Sequence, residues 1–374
     1  MRVTRTFKLI ATVFPGLYKF VLVNLVALLA VAEVSQFFSK AFFEIGLLVA
    51  FAGVAVSSQA YAKGDGLSFL SNTLMILIIL SFGSLGLWVF YEGAIEGFIL
   101  IVASALFLSM FEVLRAQLAA CGEFMRLTVS AFLSFLFLVP LVVYLNDEKY
   151  LMVFFTFLSL FVSVIIVDRR SFSFSRKVDA EAFKNILSYS ASSGLSTGLT
   201  FFIPLILIRE FGEGSSILIA QVFTLSSLFF FYPRYLSAGF MVELRREKVD
   251  GSLITIFRRR LFRYTLFVSF LFFVFAFFES QYMDFVLLFV AMQVGQLNLP
   301  YANVHMVMAR GYDLLLVNCK ALIFISVLLV GAYLMLDEGA TRGKVILGSF
   351  LLYMFVRFVL TKYSYEREDC HVAL

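Results

Sequence analysis

The chain has 374 residues, 61% of them hydrophobic and 15% charged, and its mean hydropathy of +0.96 lies outside the range of a soluble domain. Apolar runs long enough to cross about 30 Å of hydrocarbon recur along the whole sequence, leaving no stretch for a separate soluble domain. The net charge of +5 does not point to nucleic acid, because the basic residues flank apolar runs and act there as topology anchors. Cys121, Cys319 and Cys370 are far apart and lack CxxC spacing, and His305 and His371 stand alone, so neither a disulfide framework nor a metal centre is expected.

In chain order, Arg2, Arg5 and Lys8 precede an apolar run of about 24 residues. Ala30-Val31-Ala32 resembles a signal-peptidase site, but the run is longer than a signal peptide's apolar region, so an uncleaved first span is expected. Hydropathy places spans at 8–32, 41–61, 69–91, 95–118, 126–145, 150–167, 184–208, 216–241, 261–278, 283–306, 312–335 and 343–362. With the N-terminus inside, 21 of the 30 Lys and Arg residues fall in cytoplasmic segments and 5 in outer loops. This positive-inside bias predicts that both termini are cytoplasmic.

The expected fold class is therefore an all-α polytopic membrane protein of about twelve helices. Two six-helix bundles, 1–168 and 184–362, are joined by a cytoplasmic linker, 169–183, and followed by a cytoplasmic tail, 363–374. Arg176 to Lys184 reads as an amphipathic surface stretch leading into the seventh span. A faint repeat supports the two halves. At an offset of 189 residues Gly122 matches Gly311, Phe135 matches Phe324 and Tyr144 matches Tyr333, while Phe7-Lys8 and Phe183-Lys184 open the first span of each half. Many transporters alternate access between two such repeats.

An ionisable group inside a span is costly and is by default a functional hypothesis. Lys19 lies about 16 Å from the start of the first span, with Pro15, Gly16 and Thr12 on the turns before it. It reads either as a cation lining a water-filled cavity or as a structural charge paired with a buried carboxylate. Arg234 follows Pro233 in the eighth span and reads equally as a cavity group or a snorkelling anchor. Arg357 and Lys320 are expected to snorkel. Gln293, Gln296, Pro300 and Asn303, spaced three, four and three, share one helical face of the tenth span, and they either line a pathway or bond to neighbouring helices. The Ser, Gly and Thr residues from Ser188 to Thr200 suit close helix packing, with flexibility as the alternative. Glu112 and Arg115, three residues apart, read as an ion pair or a proton-linked switch.

No GxxxxGK[ST] or HExxH motif is present, and no outer loop is long enough to enclose a lipid-linked substrate. These absences put transport ahead of catalysis, with no cofactor expected.

Three segments then carry a resemblance. Arg115-Ala116-Gln117-Leu118-Ala119-Ala120-Cys121-Gly122-Glu123, the run from Tyr333 to Gly343, and Tyr232-Pro233-Arg234-Tyr235-Leu236-Ser237 are similar to turns of the Wzx-type polysaccharide flippases. Those proteins belong to the multidrug/oligosaccharidyl-lipid/polysaccharide exporter superfamily. The chain departs from them at Phe201 to Pro204, where many relatives carry an acidic residue, and at Arg342 and Lys344, where they carry small ones. The resemblance implies a MATE-like pair of bundles in a bacterial inner membrane. It also implies a flippase for an undecaprenyl-pyrophosphate-linked oligosaccharide, such as an O-antigen repeat unit. Lys19 and Arg234 would meet the pyrophosphate, and Gln293, Gln296 and Asn303 the sugar. Its partners would be membrane lipids, a polysaccharide polymerase and chain-length machinery. The rival readings are a multidrug or metabolite exporter of the same superfamily and a membrane polymerase or acyltransferase.

Overall fold

A backbone in hydrocarbon must satisfy its hydrogen bonds within itself, and long apolar segments do so as helices. The structure, a computed structural model, describes residues 2–54, 56–57, 69–88, 91, 94–167, 180–246, 251–307 and 311–372. These form helices and no strand. Twelve of them are long and apolar enough to cross a membrane: Thr6–Leu29, Ala32–Phe51, Ser71–Trp88, Ile95–Ala120, Phe124–Tyr144, Lys149–Val167, Ile186–Phe211, Glu213–Ser237, Ser252–Phe278, Ser280–His305, Tyr312–Met335 and Ala340–Glu366. They are numbered as spans 1 to 12.

The twelve match the hydropathy reading closely except at spans 2 and 9, which begin at Ala32 and Ser252, each about nine residues earlier than expected. Polar side chains at Glu33, Ser35, Gln36, Ser39 and Lys40 depress hydropathy in span 2 without preventing a helix. Ser35 Oγ donates to the Val26 carbonyl at 3.0 Å and Ser39 Oγ to the Ser35 carbonyl at 2.8 Å, so both hydroxyls are satisfied against backbone. Glu33 pairs with Lys149 at 2.7 Å at the helix end. The expected linker falls largely outside the described residues, and helix resumes at Ala180. The last helix continues to Val372, through most of the expected tail.

The chain divides into two compact units, Met1–Leu205 and Ile206–Leu374, and the division falls inside span 7. In the first unit span 4 packs on span 6 and span 1 on span 5. Spans 5 and 6 are pinned by a buried serine cluster: Ser163 Oγ lies 2.7 Å from Ser134 Oγ and 3.2 Å from Ser130 Oγ. Span 2 is the most enclosed, with Phe38, Phe43, Ile45 and Leu48 all at most 1% exposed. The beginning of span 7 locks onto it. Phe51 lies where a methyl group on Gly194 would sit and Phe201 where one on Gly46 would sit, and Ser190 Oγ donates to the Phe51 carbonyl at 2.8 Å. Close packing by small residues is thus realised in this stretch.

In the second unit span 12 packs on spans 10 and 11, and span 10 also meets spans 8 and 9. Span 9 turns Phe267, Phe270, Phe277 and Phe278 outward, all more than half exposed, which suits a helix facing lipid. Three spans are interrupted. Span 7 contains a π-helical segment, Gly194–Gly198; span 8 turns at Phe229 and Phe230 between Ser216–Leu228 and Phe231–Arg246; span 10 carries a 3-10 turn, Gln296–Asn298. Of the repeat positions, Gly122 adopts φ +77° at the turn into span 5, whereas Gly311 is the first helical residue before span 11.

Candidate functional site

Within the first unit, spans 1, 2, 4 and 6 enclose a cavity of about 20 Å³ lined mainly by apolar and aromatic side chains, among them Phe14, Phe111 and Phe157. That is room for about one water molecule. Its polar lining is Tyr18, Lys19 and Glu112. Lys19 stands thirteen residues from the first residue of span 1 and ten from the last, so it is near mid-membrane and faces a cavity of the protein. Pro15, one turn earlier, also lines the cavity; lacking an N–H, it leaves the carbonyl four residues before it without its helical bond. Thr12 takes no part, since its hydroxyl donates to the Lys8 carbonyl at 2.7 Å.

Glu112 reaches the cavity from span 4. Its Oε2 accepts from Arg115 Nη2 at 2.6 Å and Nε at 3.1 Å, and both side chains are mostly buried. The (i, i+3) spacing on a helix brings the two together. Lys19, Glu112 and Arg115 together carry a net charge of +1.

The other residues singled out in the sequence lie in the second unit. Arg234 is half-buried, with its guanidinium carbon 5.7 Å from the centre of the Phe230 ring. Gln293 is fully buried, and its Nε2 donates to Ser226 Oγ at 2.9 Å and to the Ser226 carbonyl at 3.1 Å. Asn303, 1% exposed, donates from Nδ2 to Ser237 Oγ at 2.7 Å. Both amides tie span 10 to span 8. Gln296 begins the 3-10 turn and is half-buried. The turn changes the helical phase, so the expected continuous stripe is broken between Gln293 and Asn303.

Sequence reasoning passed over Glu44 and Glu210, and read Arg342 only as a departure from the resemblance. Glu44, 5% exposed, lies deep in span 2, twelve residues from its first residue. Lys40 is its cationic neighbour. In the turn beyond span 3, the Tyr91 phenol is pushed up to about 12, first by burial and then by the nearby Glu44 and Tyr150. Glu210 and Arg342 form a buried fork, with Nε to Oε2 and Nη2 to Oε1 both 2.8 Å. The Gly339 N–H also donates to Glu210 at 3.2 Å, and Arg342 lies 4.4 Å from the Tyr333 ring centre. The Arg357 Nε donates to Asn318 Oδ1 at 2.8 Å, inside the second unit.

No family model and no curated protein matches the chain. Solved structures do. A MATE protein crystallised in the straight conformation aligns with a TM-score of 0.63 at 15% identity, over 100% of this chain and 96% of that one. The fold is MATE-like. An outward-facing multidrug resistance MATE family transporter of the MOP superfamily aligns with a TM-score of 0.61 at 15% identity, over 98% and 94% of the two chains. A MOP superfamily transporter from Pyrococcus furiosus, described as having a binding pocket of reverse polarity that suggests a different function, aligns with a TM-score of 0.56 at 15% identity, over 96% and 93%. The MATE-like alignment therefore runs over nearly the entire chain and includes both units.

Proposed function

We propose that this protein is a membrane transporter that flips an undecaprenyl-pyrophosphate-linked oligosaccharide across the bacterial inner membrane, with both termini in the cytoplasm. The observation that carries the reading is the placement of Lys19 near mid-membrane, on the wall of a cavity that Glu112 also lines. A cation at that depth is a functional hypothesis by default, and pyrophosphate is a dense anion that accepts charge-assisted hydrogen bonds. The MATE-like fold supplies a framework in which related structures adopt inward- and outward-facing conformations. The description of the Pyrococcus protein ties pocket polarity to function within this fold.

In this mechanism spans 1, 2, 4 and 6 part to enlarge the cavity. The headgroup enters against Lys19 while its lipid tail stays in the bilayer, and Arg115 keeps Glu112 from competing with the anion. A multidrug exporter is the second reading, favoured by the descriptions of the similar structures; a cationic drug needs an available carboxylate, and Glu112 is held by Arg115. The deciding experiment reconstitutes the purified protein in liposomes with a fluorescent short-chain prenyl-pyrophosphate oligosaccharide and, separately, a lipophilic cationic dye. Translocation of the first, lost in Lys19→Ala, supports the proposal. Translocation of the dye alone selects the exporter.

A further inference from the structure

Embedded arginines in this protein are compensated in two ways. Arg115 and Arg342 each meet a carboxylate, Glu112 and Glu210. Arg357 meets only neutral groups. Its Nε donates to Asn318 Oδ1 at 2.8 Å, and the Asn298 amide is oriented by its surroundings: with its oxygen towards the guanidinium it accepts from Nε and Nη2 at 3.3 Å, while its nitrogen donates to Thr361 Oγ1 at 3.0 Å. Asn298, Asn318 and Thr361 are 3%, 0% and 0% exposed, so this polar cluster is interior. It draws on spans 10, 11 and 12 of one compact unit. Among the described residues no carboxylate lies within ion-pairing distance of Arg357, and Tyr353, one turn earlier, is its titratable neighbour.

A guanidinium does not lose its proton in a protein. Amide dipoles orient it but leave its charge whole, and an uncompensated charge away from water is unfavourable. Arg357 is half-buried, and its Nη1 has no partner among the described residues and is not sealed inside the protein. The two amides thus hold the Nε–Nη2 edge of the fork and leave Nη1 to meet an oxyanion end-on.

We infer that Arg357, positioned by Asn298 and Asn318, binds a phosphate-type oxyanion within the second unit. The inference stands on the surroundings of Arg357 and does not depend on the substrate proposed above. The anion is either free in solution or carried on a lipid, and both present the same oxygens.

The test measures binding of inorganic pyrophosphate and of farnesyl diphosphate to the purified full-length protein in chloride-free detergent solution, by calorimetry and by the shift in thermal midpoint. All variants carry Lys19→Ala, so that the cavity of the first unit does not contribute. The informative change is Asn318→Asp, which places an internal carboxylate beside the guanidinium. It is expected to weaken anion binding by about tenfold or more while the ligand-free midpoint stays the same or rises; Arg357→Gln is expected to abolish binding. Tighter binding of farnesyl diphosphate assigns the site to a lipid-borne anion, and equal binding to a free one. Absence of saturable binding before the Asn318 and Arg357 changes, or equal affinity after them, overturns the inference.

Discussion

The position of Glu112 at the cavity depends on how closely span 4 approaches the helical turn that follows span 2, and one glycine there sets that distance. A methyl group built on Gly53 would lie 2.9 Å from Ser109 Cα and 3.1 Å from its Cβ and Oγ, and Ser109 is three residues before Glu112. Ordinary carbon contacts are about 3.5–4.0 Å, so any side chain there forces the helices apart by roughly 0.5–1 Å. The obstructing atom belongs to backbone and cannot rotate away. Gly53→Val is expected to cost about 1–3 kcal/mol through overpacking, against which the better helix propensity of Val returns only a few tenths of a kcal/mol. The matched control is Gly348→Ala in span 12, where nothing lies within 4 Å of the added carbon and stability should hold or rise by up to about 1 kcal/mol. Heating the purified proteins in detergent and following the monodisperse fraction by size-exclusion chromatography gives the comparison. Gly53→Val should lose the folded fraction at least about 2 °C lower than the parent. A Gly53→Val protein as heat-stable as the parent would refute the close approach.

Three further outcomes are expected. Lys19→Ala should abolish glycan export in cells while the protein still accumulates in the membrane, and full export by that variant would remove Lys19 from the site. Glu210→Gln leaves Arg342 without its carboxylate, so it should lower the thermal midpoint more than Glu338→Gln, whose side chain is 76% exposed; equal effects would mean that the fork is not structural. Cys121, exposed at the turn between spans 4 and 5, should react with a membrane-impermeant maleimide only after cells are permeabilised, in a background carrying Cys319→Ser and Cys370→Ser. Labelling of intact cells would reverse the proposed orientation.

The number of spans was legible in the sequence because hydrocarbon demands long uninterrupted apolar helices, and that demand is written directly in composition. Interruptions inside spans were not legible. The π segment at Gly194, the turn at Phe229 and the 3-10 turn at Gln296 leave hydropathy almost unchanged, yet each rotates the residues beyond it. For that reason the face shared by Gln293 and Asn303 on an ideal helix resolves into two separate cross-links to span 8. The ion pair of Glu112 and Arg115 was readable because three residues on a helix define the geometry locally. Lys19 was readable because its depth exceeds its reach. The partner of Arg357 was not readable, because sequence gives the length of a side chain and not its direction. The fork of Glu210 and Arg342 joins residues 132 positions apart, a separation across which no local pattern operates.

The cavity beside Lys19 also bears on leakage. A bilayer that stores energy as a proton gradient tolerates a large carrier only if its closed form contains no continuous file of water, since protons hop along such files far faster than bulky solutes cross. A void of about 20 Å³ walled by Phe14, Phe111 and Phe157 admits roughly a single water and so provides no file at that depth. The aromatic packing around Lys19 thereby bars a water file through this cavity.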